Sequence, residues 1–453
     1  MQSLIEKYNV PGPRYTSYPT VPHWDKNEFN ISSWSEGVKI AFDKESKLEE
    51  GISVYIHLPF CESLCTYCGC NTRITVNHSI ELVYISAVIR EWEQYVALFG
   101  KKPVIKELHL GGGTPTFFSP ENLTLLLNGI FSKAYIAKDP NFSFEGHPNN
   151  TTEEHLLALY ALGFRRVSFG IQDFDPIVQD IIHRKQTFAQ VEYVTDLARM
   201  IGYTSINFDL IYGLPLQTLD SVIHTIEKVK LLMPERIAFY SYAHVPWIKP
   251  GQRRFTEMDL PDNETKRNLY ERGCEMLENA GYKEIGMDHF ALPSDALYQA
   301  LENKTLHRNF MGYTPCHTTM LIGLGCSSIS DCGTAFAQNA KVVEQYIETI
   351  DKGSLAIVNG HLQTETDKIL RQHILNIMCR METSWQDSYS QTFSMYETIE
   401  RLREMELDGL IYLNYNSLKI TKIGKPFVRN ICMAFDERLN QQTEEKQVFS
   451  KVI

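Results

Sequence analysis

Long hydrophobic runs are missing from this chain. The most apolar stretches, around Met320–Gly325 and Ile211–Leu216, are broken by glycine or proline before they approach the length of a membrane span. A membrane partner is therefore excluded. An excess of basic residues is also missing: 44 Lys and Arg stand against 55 Asp and Glu, a net charge of −11. Broad nucleic-acid binding needs a basic face and is excluded on the same footing. The first residues, Met1-Gln2-Ser3-Leu4-Ile5-Glu6-Lys7, lack the basic, apolar and small-residue order of a signal peptide. A cytoplasmic location is the expectation. No fixed-period repeat or low-complexity tract appears.

Cysteine is present but unevenly placed. In a cytosolic chain the ten cysteines should be reduced thiols or metal ligands. Six of them (Cys274, Cys316, Cys326, Cys332, Cys379 and Cys432) are scattered and read as small buried apolar residues. The other four, Cys61, Cys65, Cys68 and Cys70, crowd into ten residues.

Candidate strands are Ile52–Leu58, Ile105–Leu110, Phe142–Glu145, Arg166–Ile171, Ser205–Ile211 and Arg236–Tyr242. Helical patterns separate them; Ile80, Tyr84, Val88, Trp92, Tyr95 and Phe99 outline one apolar face. The alternation predicts an α/β arrangement with parallel strands and right-handed crossovers, as a partial barrel or an open doubly wound sheet. In both, chemistry gathers at the carboxyl ends of the strands. Ahead of this body, residues 1–35 carry a proline-dense arm expected to lie extended over the active site. Residues 36–365 form the expected catalytic domain. Residues 366–453 read as a smaller, mainly helical, winged-helix-like domain, with the hairpin Leu410–Tyr415 and Leu418–Thr421. Its basic and acidic residues balance at 12 each, which counts against DNA binding and favours a structural or covering role.

Cys61-x3-Cys65-x2-Cys68 directly follows the first strand. Three thiolates on one loop can bind three corners of a cubic iron–sulfur cluster, where ordinary electron carriers use four. The fourth iron then keeps an open position if Cys70 does not ligate. Zinc is the competing reading, but zinc sites usually pair two knuckles or add histidines, and no second knuckle is present. Gly111-Gly112-Gly113-Thr114-Pro115 ends the second strand, where glycines let backbone amides approach a ligand.

The cysteine spacing and the Gly-Gly-Gly-Thr-Pro stretch resemble the radical S-adenosylmethionine superfamily. Gly12–Pro19, Asp209–Pro215, Gly286–Phe290, His307–Phe310 and Arg429–Met433 narrow the resemblance to the oxygen-independent coproporphyrinogen III oxidases, over nearly the whole chain. That resemblance implies a partial (β/α)6 barrel, a [4Fe-4S] cluster on Cys61, Cys65 and Cys68, and S-adenosylmethionine, with two molecules bound side by side. It implies a reaction in which a 5′-deoxyadenosyl radical takes hydrogen from a propionate β-carbon of coproporphyrinogen III, leaving a vinyl group after loss of carbon dioxide and an electron. It further implies a reducing donor such as flavodoxin or ferredoxin, and a monomer.

Carried over by position, the cofactor contacts fall on Tyr55, Tyr67, Gly69, Gly112, Gly113, Thr114, Glu145, Gln172, Arg184, Asp209, Ala243 and Ile329. Arg184 suits the methionine carboxylate; Glu145 and Asp209 suit ribose hydroxyls or the amino group. Cys70 is read either as a radical-side or substrate-side residue or as a packed thiol. Arg14, Arg253 and Arg308 are the candidates for the substrate's carboxylates. The chain departs from the family pattern at Met311, where a polar Gln is expected, and at Gly146-His147-Pro148-Asn149-Asn150, which replaces a more acidic stretch. Three readings compete with the oxidase: a haem chaperone, a haem-cleaving methyltransferase and a non-catalytic cluster- or haem-binding protein. Haem chaperones of this superfamily usually lack the fourth cysteine and carry a different haem motif around residues 307–313.

Overall fold

The computed structural model describes residues 2–48, 50–247, 249–386, 391–392, 395–441, 449–450 and 452. Six parallel strands form its centre: Ile52–Leu58, Val104–Gly112, Tyr135–Gly146, Arg166–Gln172, Ser205–Tyr212 and Arg236–Ser241. They lie side by side in chain order. Their buried, β-branched and aromatic residues meet in register, as with Val54 beside Leu108 and Ile56 beside Leu110. Apolar residues such as Val54, Leu108, Phe144 and Phe208 occupy one face, and polar residues such as Glu145 and Asp209 alternate onto the other.

The intervening helices start where the sequence supplies caps. Thr152, Thr187 and Thr218 each accept the N–H three residues on, and that residue's side chain returns to the cap. Gly100 and Gly202 close two of them in the left-handed conformation. The helix Ile80–Phe99 turns Tyr84, Val88, Trp92, Tyr95 and Phe99 into the core, as the periodicity predicts.

The sheet continues beyond the six. Leu321–Leu324 pairs parallel to the first strand, and Ile329–Asp331, Ala335–Asn339 and Ile357–Leu362 follow it antiparallel. At the other edge, His289–Ala291 and Lys283–Gly286 pair antiparallel beyond the sixth strand. The central strands keep chain order without the reversal of a doubly wound sheet, and the order does not close on itself: this is an α/β partial barrel of six βα units with antiparallel flaps. Among the described residues, no helix is long and apolar enough to cross a membrane.

A second core joins the chain's two ends. Tyr8, Tyr15 and Tyr18 pack with Leu370, Ile374, Ile377, Phe427, Ile431 and Phe435. Buried Arg429 donates to the carbonyls of Gly12 and Pro13, and the Tyr15 hydroxyl donates to Asp436 over 3.0 Å. The arm is helical over Gln2–Tyr8 and irregular through the prolines that follow. Residue 35 lies inside the helix Ile31–Leu48, whose apolar face covers the barrel with Trp34, Val38 and Phe42.

Candidate active site

The carboxyl ends of the six strands surround one cavity of about 550 Å³, within the usual range for small-molecule sites. One wall is the loop after the first strand. Cys61, Cys65 and Cys68 all line the cavity, and Cys70 lies beside them. The Cys61 sulfur is 3.4 Å from the Thr114 hydroxyl, and an Arg184 N–H points at the Cys65 sulfur from 3.6 Å. Cys68 is drawn down to about 6 because the Cys70 thiol hydrogen-bonds to it, and the same bond holds Cys70 in its thiol form. Burial pushes Cys61 up to about 11.

The glycine stretch is locked against this loop. The Gly113 N–H donates to Leu58 and the Thr114 N–H to Phe60, at 2.8 and 2.9 Å. Gly112 has a φ of +115°, and a Cβ there would sit 2.6 Å from the His57 ring. A Cβ on Gly113 would stand 2.6 Å from the Pro59 carbonyl. A side chain on Gly112 would displace His57 at the end of the first strand, and one on Gly113 would displace Pro59 and Phe60 at the start of the cysteine loop, so the glycine stretch and the loop form one unit.

Opposite stand the carboxylates. Glu145 accepts the Gly112 N–H at 3.1 Å and faces His109 Nε2 at 3.5 Å. Burial raises its carboxyl, but His109, the Gly112 amide and His57 outweigh that and hold it below the ordinary range. Asp209 takes hydrogen bonds from Ser168 and Asn207. Burial first, and the Glu145 charge second, push it up to about 6. Two carboxylates facing one cavity with separated acidities supply one fixed anion and one that titrates. Arg184 is buried and satisfied by the Gly170 carbonyl. Gln172 ends the fourth strand with φ +67° and lines the same wall.

Tyr67, Gly69, Gly112, Gly113, Thr114, Glu145, Gln172, Arg184, Asp209 and Ala243 all line the cavity. Tyr55 and Ile329 do not. Tyr55 lies behind the glycines, its hydroxyl 3.1 Å from His57 Nδ1, and Ile329 is half-buried in the strand next to Leu321–Leu324. Arg14 reaches towards the rim, donating to the Ser241 carbonyl and pairing with Asp288. Arg308 is buried beneath the arm. Arg253 is exposed and outside the lining: the short turn Pro250–Arg254 buries Gln252 and leaves Arg253 facing out.

Sequence reasoning passed over Gln252, Lys249 and Tyr240. Gln252 bridges the two sides of the cavity, donating to the carbonyls of Ala243 and, at 3.4 Å, Tyr67. Lys249 donates to the Cys70 carbonyl. Tyr240 lies on the carboxyl end of the sixth strand, so the rule that ligands gather at strand ends marks it. His147, in the departing segment, also lines the cavity, and burial with the nearby Arg184 charge keeps it neutral, down to about 2.

Among the described residues, no three Cys, His, Asp or Glu side chains converge on a point as a single metal ion requires. Three thiols along one loop, facing carboxylates across a shared cavity walled by the glycine stretch, fit a polynuclear cluster with a polar organic ligand beside it.

The family model for the Radical SAM superfamily matches residues 55–229. The oxygen-independent coproporphyrinogen III oxidase of Pseudomonas aeruginosa is 38% identical, over 99% of this chain and 98% of the relative. That of Escherichia coli K12 is 36% identical over 100% and 98%. The solved structure of the Escherichia coli coproporphyrinogen III oxidase, described as a radical SAM enzyme, superposes with a TM-score of 0.89 at 34% identity. It covers 96% of this chain and 98% of that one.

Proposed function

The chain belongs to the oxygen-independent coproporphyrinogen III oxidase family, and from that membership we propose how its own residues divide the work. The enzyme is a radical SAM oxidoreductase. It converts two propionate side chains of coproporphyrinogen III to vinyl groups by oxidative decarboxylation, giving protoporphyrinogen IX in haem synthesis. Its cofactors are a [4Fe-4S] cluster and S-adenosylmethionine, which when bound supply the hydrogen-atom abstraction that starts each decarboxylation.

The assignment of residues is our reading. Cys61, Cys65 and Cys68 hold the cluster. Gly112 and Gly113, which bring the backbone close without a side chain, line the S-adenosylmethionine site with Tyr67, Gly69, Thr114, Gln172 and Ala243. Arg184, now on the Gly170 carbonyl, would hold the methionine carboxylate, a charge-assisted pair in place of a neutral acceptor. Glu145, already anchored on the Gly112 amide, and Asp209 take the amino group and ribose hydroxyls. Tyr55 braces this wall through His57. Ile329 and Met311 would contact a second S-adenosylmethionine. Residues 1–35 cover the site, 36–365 carry the chemistry and 366–453 support the cover. The enzyme works as a cytoplasmic monomer, reduced by a donor such as flavodoxin or ferredoxin.

The observation that carries this reading is the locking of the cysteine loop onto the glycine stretch, with Glu145 and Asp209 across the same cavity. The test is anaerobic reconstitution of the cluster, followed by S-adenosylmethionine, a reductant and coproporphyrinogen III. Carbon dioxide and 5′-deoxyadenosine should form together and should both vanish in Cys65→Ser. 5′-Deoxyadenosine without carbon dioxide overturns the substrate reading while leaving the cofactor chemistry in place.

A further inference from the structure

Three arginines meet where the arm crosses the barrel, and their charge is poorly matched. Arg14 pairs with Asp288 at 3.2 Å. Arg429 is satisfied by carbonyl oxygens. Arg308 has neither arrangement. It is 5% exposed, and its one hydrogen bond among the described residues is Nη2 to the Arg14 carbonyl at 3.3 Å. Its Nε and Nη1 are buried and without partners, as is Nδ1 of the adjacent His289. The guanidinium lies over the Tyr313 ring, with its carbon 4.5 Å from the centroid. Stacking orients a guanidinium but does not replace its hydrogen bonds.

A buried cation with empty donors is costly unless an anion arrives. His289 does not relieve it: burial, then the charges of Arg308, Arg14 and Arg236, hold that imidazole neutral. Tyr240 connects the cluster to the active site. It lines the cavity, meets His289 Nε2 at 3.4 Å and lies under the Arg14 guanidinium. Arg14, its side chain about one-third exposed, lines a smaller hollow with Asp288 and Arg429 beside that cavity.

We propose that Arg308, with Arg14, is a carboxylate-binding site that anchors a propionate of the substrate other than the one reacting. The inference rests on the coproporphyrinogen reading. A carboxylate entering beside Tyr240 takes the vacant Nη1 of Arg308 together with the second N–H of Nη2 on the same edge, and draws Arg14 from Asp288. Two parallel N–H···O bonds fix the macrocycle's orientation as well as its affinity. The amino-acid end of S-adenosylmethionine is the other source of a carboxylate. It already has Arg184 on the cysteine side of the cavity, whereas Arg308 lies on the side of the arm.

The test is fluorescence titration of the reconstituted full-length protein with coproporphyrin III, the unreactive oxidised tetra-acid, and with its tetramethyl ester. Binding of S-adenosylmethionine is measured in parallel. The wild type should bind the acid and largely reject the ester. Arg308→Gln should weaken acid binding roughly thirtyfold, as expected when a bidentate charged pair is lost. Arg14→Gln should weaken it by about tenfold or less, in keeping with its exposure, and both variants should bind S-adenosylmethionine normally. Unchanged acid binding in Arg308→Gln overturns the proposal and leaves the oxidase reading intact. Lost S-adenosylmethionine binding with normal acid binding overturns it by assigning the arginine to the cofactor. Failure of the wild type to bind coproporphyrin III overturns the site, and turnover of coproporphyrinogen III by the same sample keeps the oxidase reading apart from that result. Should Arg308→Gln not fold, Arg14→Gln and the ester decide, and equal affinity for acid and ester overturns the site.

Discussion

Asp209 offers a test of the site through pH. Its carboxyl sits at about 6, so near pH 5 only about a tenth is ionised, and near pH 7 about nine-tenths. Glu145 lies below the ordinary range and His147 near 2, so neither changes charge across this window. If ionised Asp209 receives hydrogen bonds from S-adenosylmethionine, affinity should fall about tenfold between pH 7 and pH 5. Equilibrium binding to the oxidised, reconstituted enzyme measures this. Asp209→Asn should bind weakly at both values with no slope. A wild-type affinity that is flat over the window would sink the assignment.

The same shift has a stability consequence of fixed sign. The folded value is raised above the ordinary 3.8, so the folded state holds the proton more tightly than the unfolded chain. Stability from this group is complete below about pH 4 and lost as pH rises through 6. Ionising Asp209 costs at most about 3 kcal/mol, and less because the carboxyl borders an open cavity. Asp209→Asn should therefore raise the melting temperature of the ligand-free protein at pH 7 while weakening cofactor binding.

Gly113→Ala places a methyl 2.6 Å from the Pro59 carbonyl; strain of roughly 1–3 kcal/mol should lower the denaturation midpoint and weaken S-adenosylmethionine binding, and a variant matching the wild type in both would contradict the locked loop. Asp295, buried, takes hydrogen bonds from Arg236, Ser205 and the Leu297 amide, each at 2.7 Å. Asp295→Ala strands a buried arginine and should lower urea stability by about 3–5 kcal/mol; a loss under about 1 kcal/mol would show that water reaches Arg236. Cys65→Ser should lose bound iron and sulfide on reconstitution, whereas Cys70→Ser should keep them; cluster loss in both would make Cys70 a ligand.

What could be read in the sequence followed the range of the interactions involved. The six central strands carry β-branched and aromatic residues at alternate positions between helical patterns, and each shows itself locally, although the third extends back to Tyr135 from the Phe142–Glu145 that the pattern marks. The flanking strands do not: Ile329–Asp331 and His289–Ala291 are three residues long and exist only through distant pairing. Leu321–Leu324 joins Ile52–Leu58 across more than 260 positions, as Ser53 beside Leu321 shows, and no local period encodes that. The site divides in the same way. Cys61, Cys65, Cys68 and the glycines are marked by spacing because each set acts from one short loop. Glu145, Arg184 and Asp209 come from separate strands and loops and needed the family pattern to be picked out. Arg253 and Gln252 show the limit most sharply. They are neighbours in one turn, and the charge that drew attention to the arginine also keeps it in water. The neutral amide turned inward and joined the two walls. Arg308 is the reverse case: burial, invisible in sequence, separates it from ordinary surface arginines and makes its vacant donors significant.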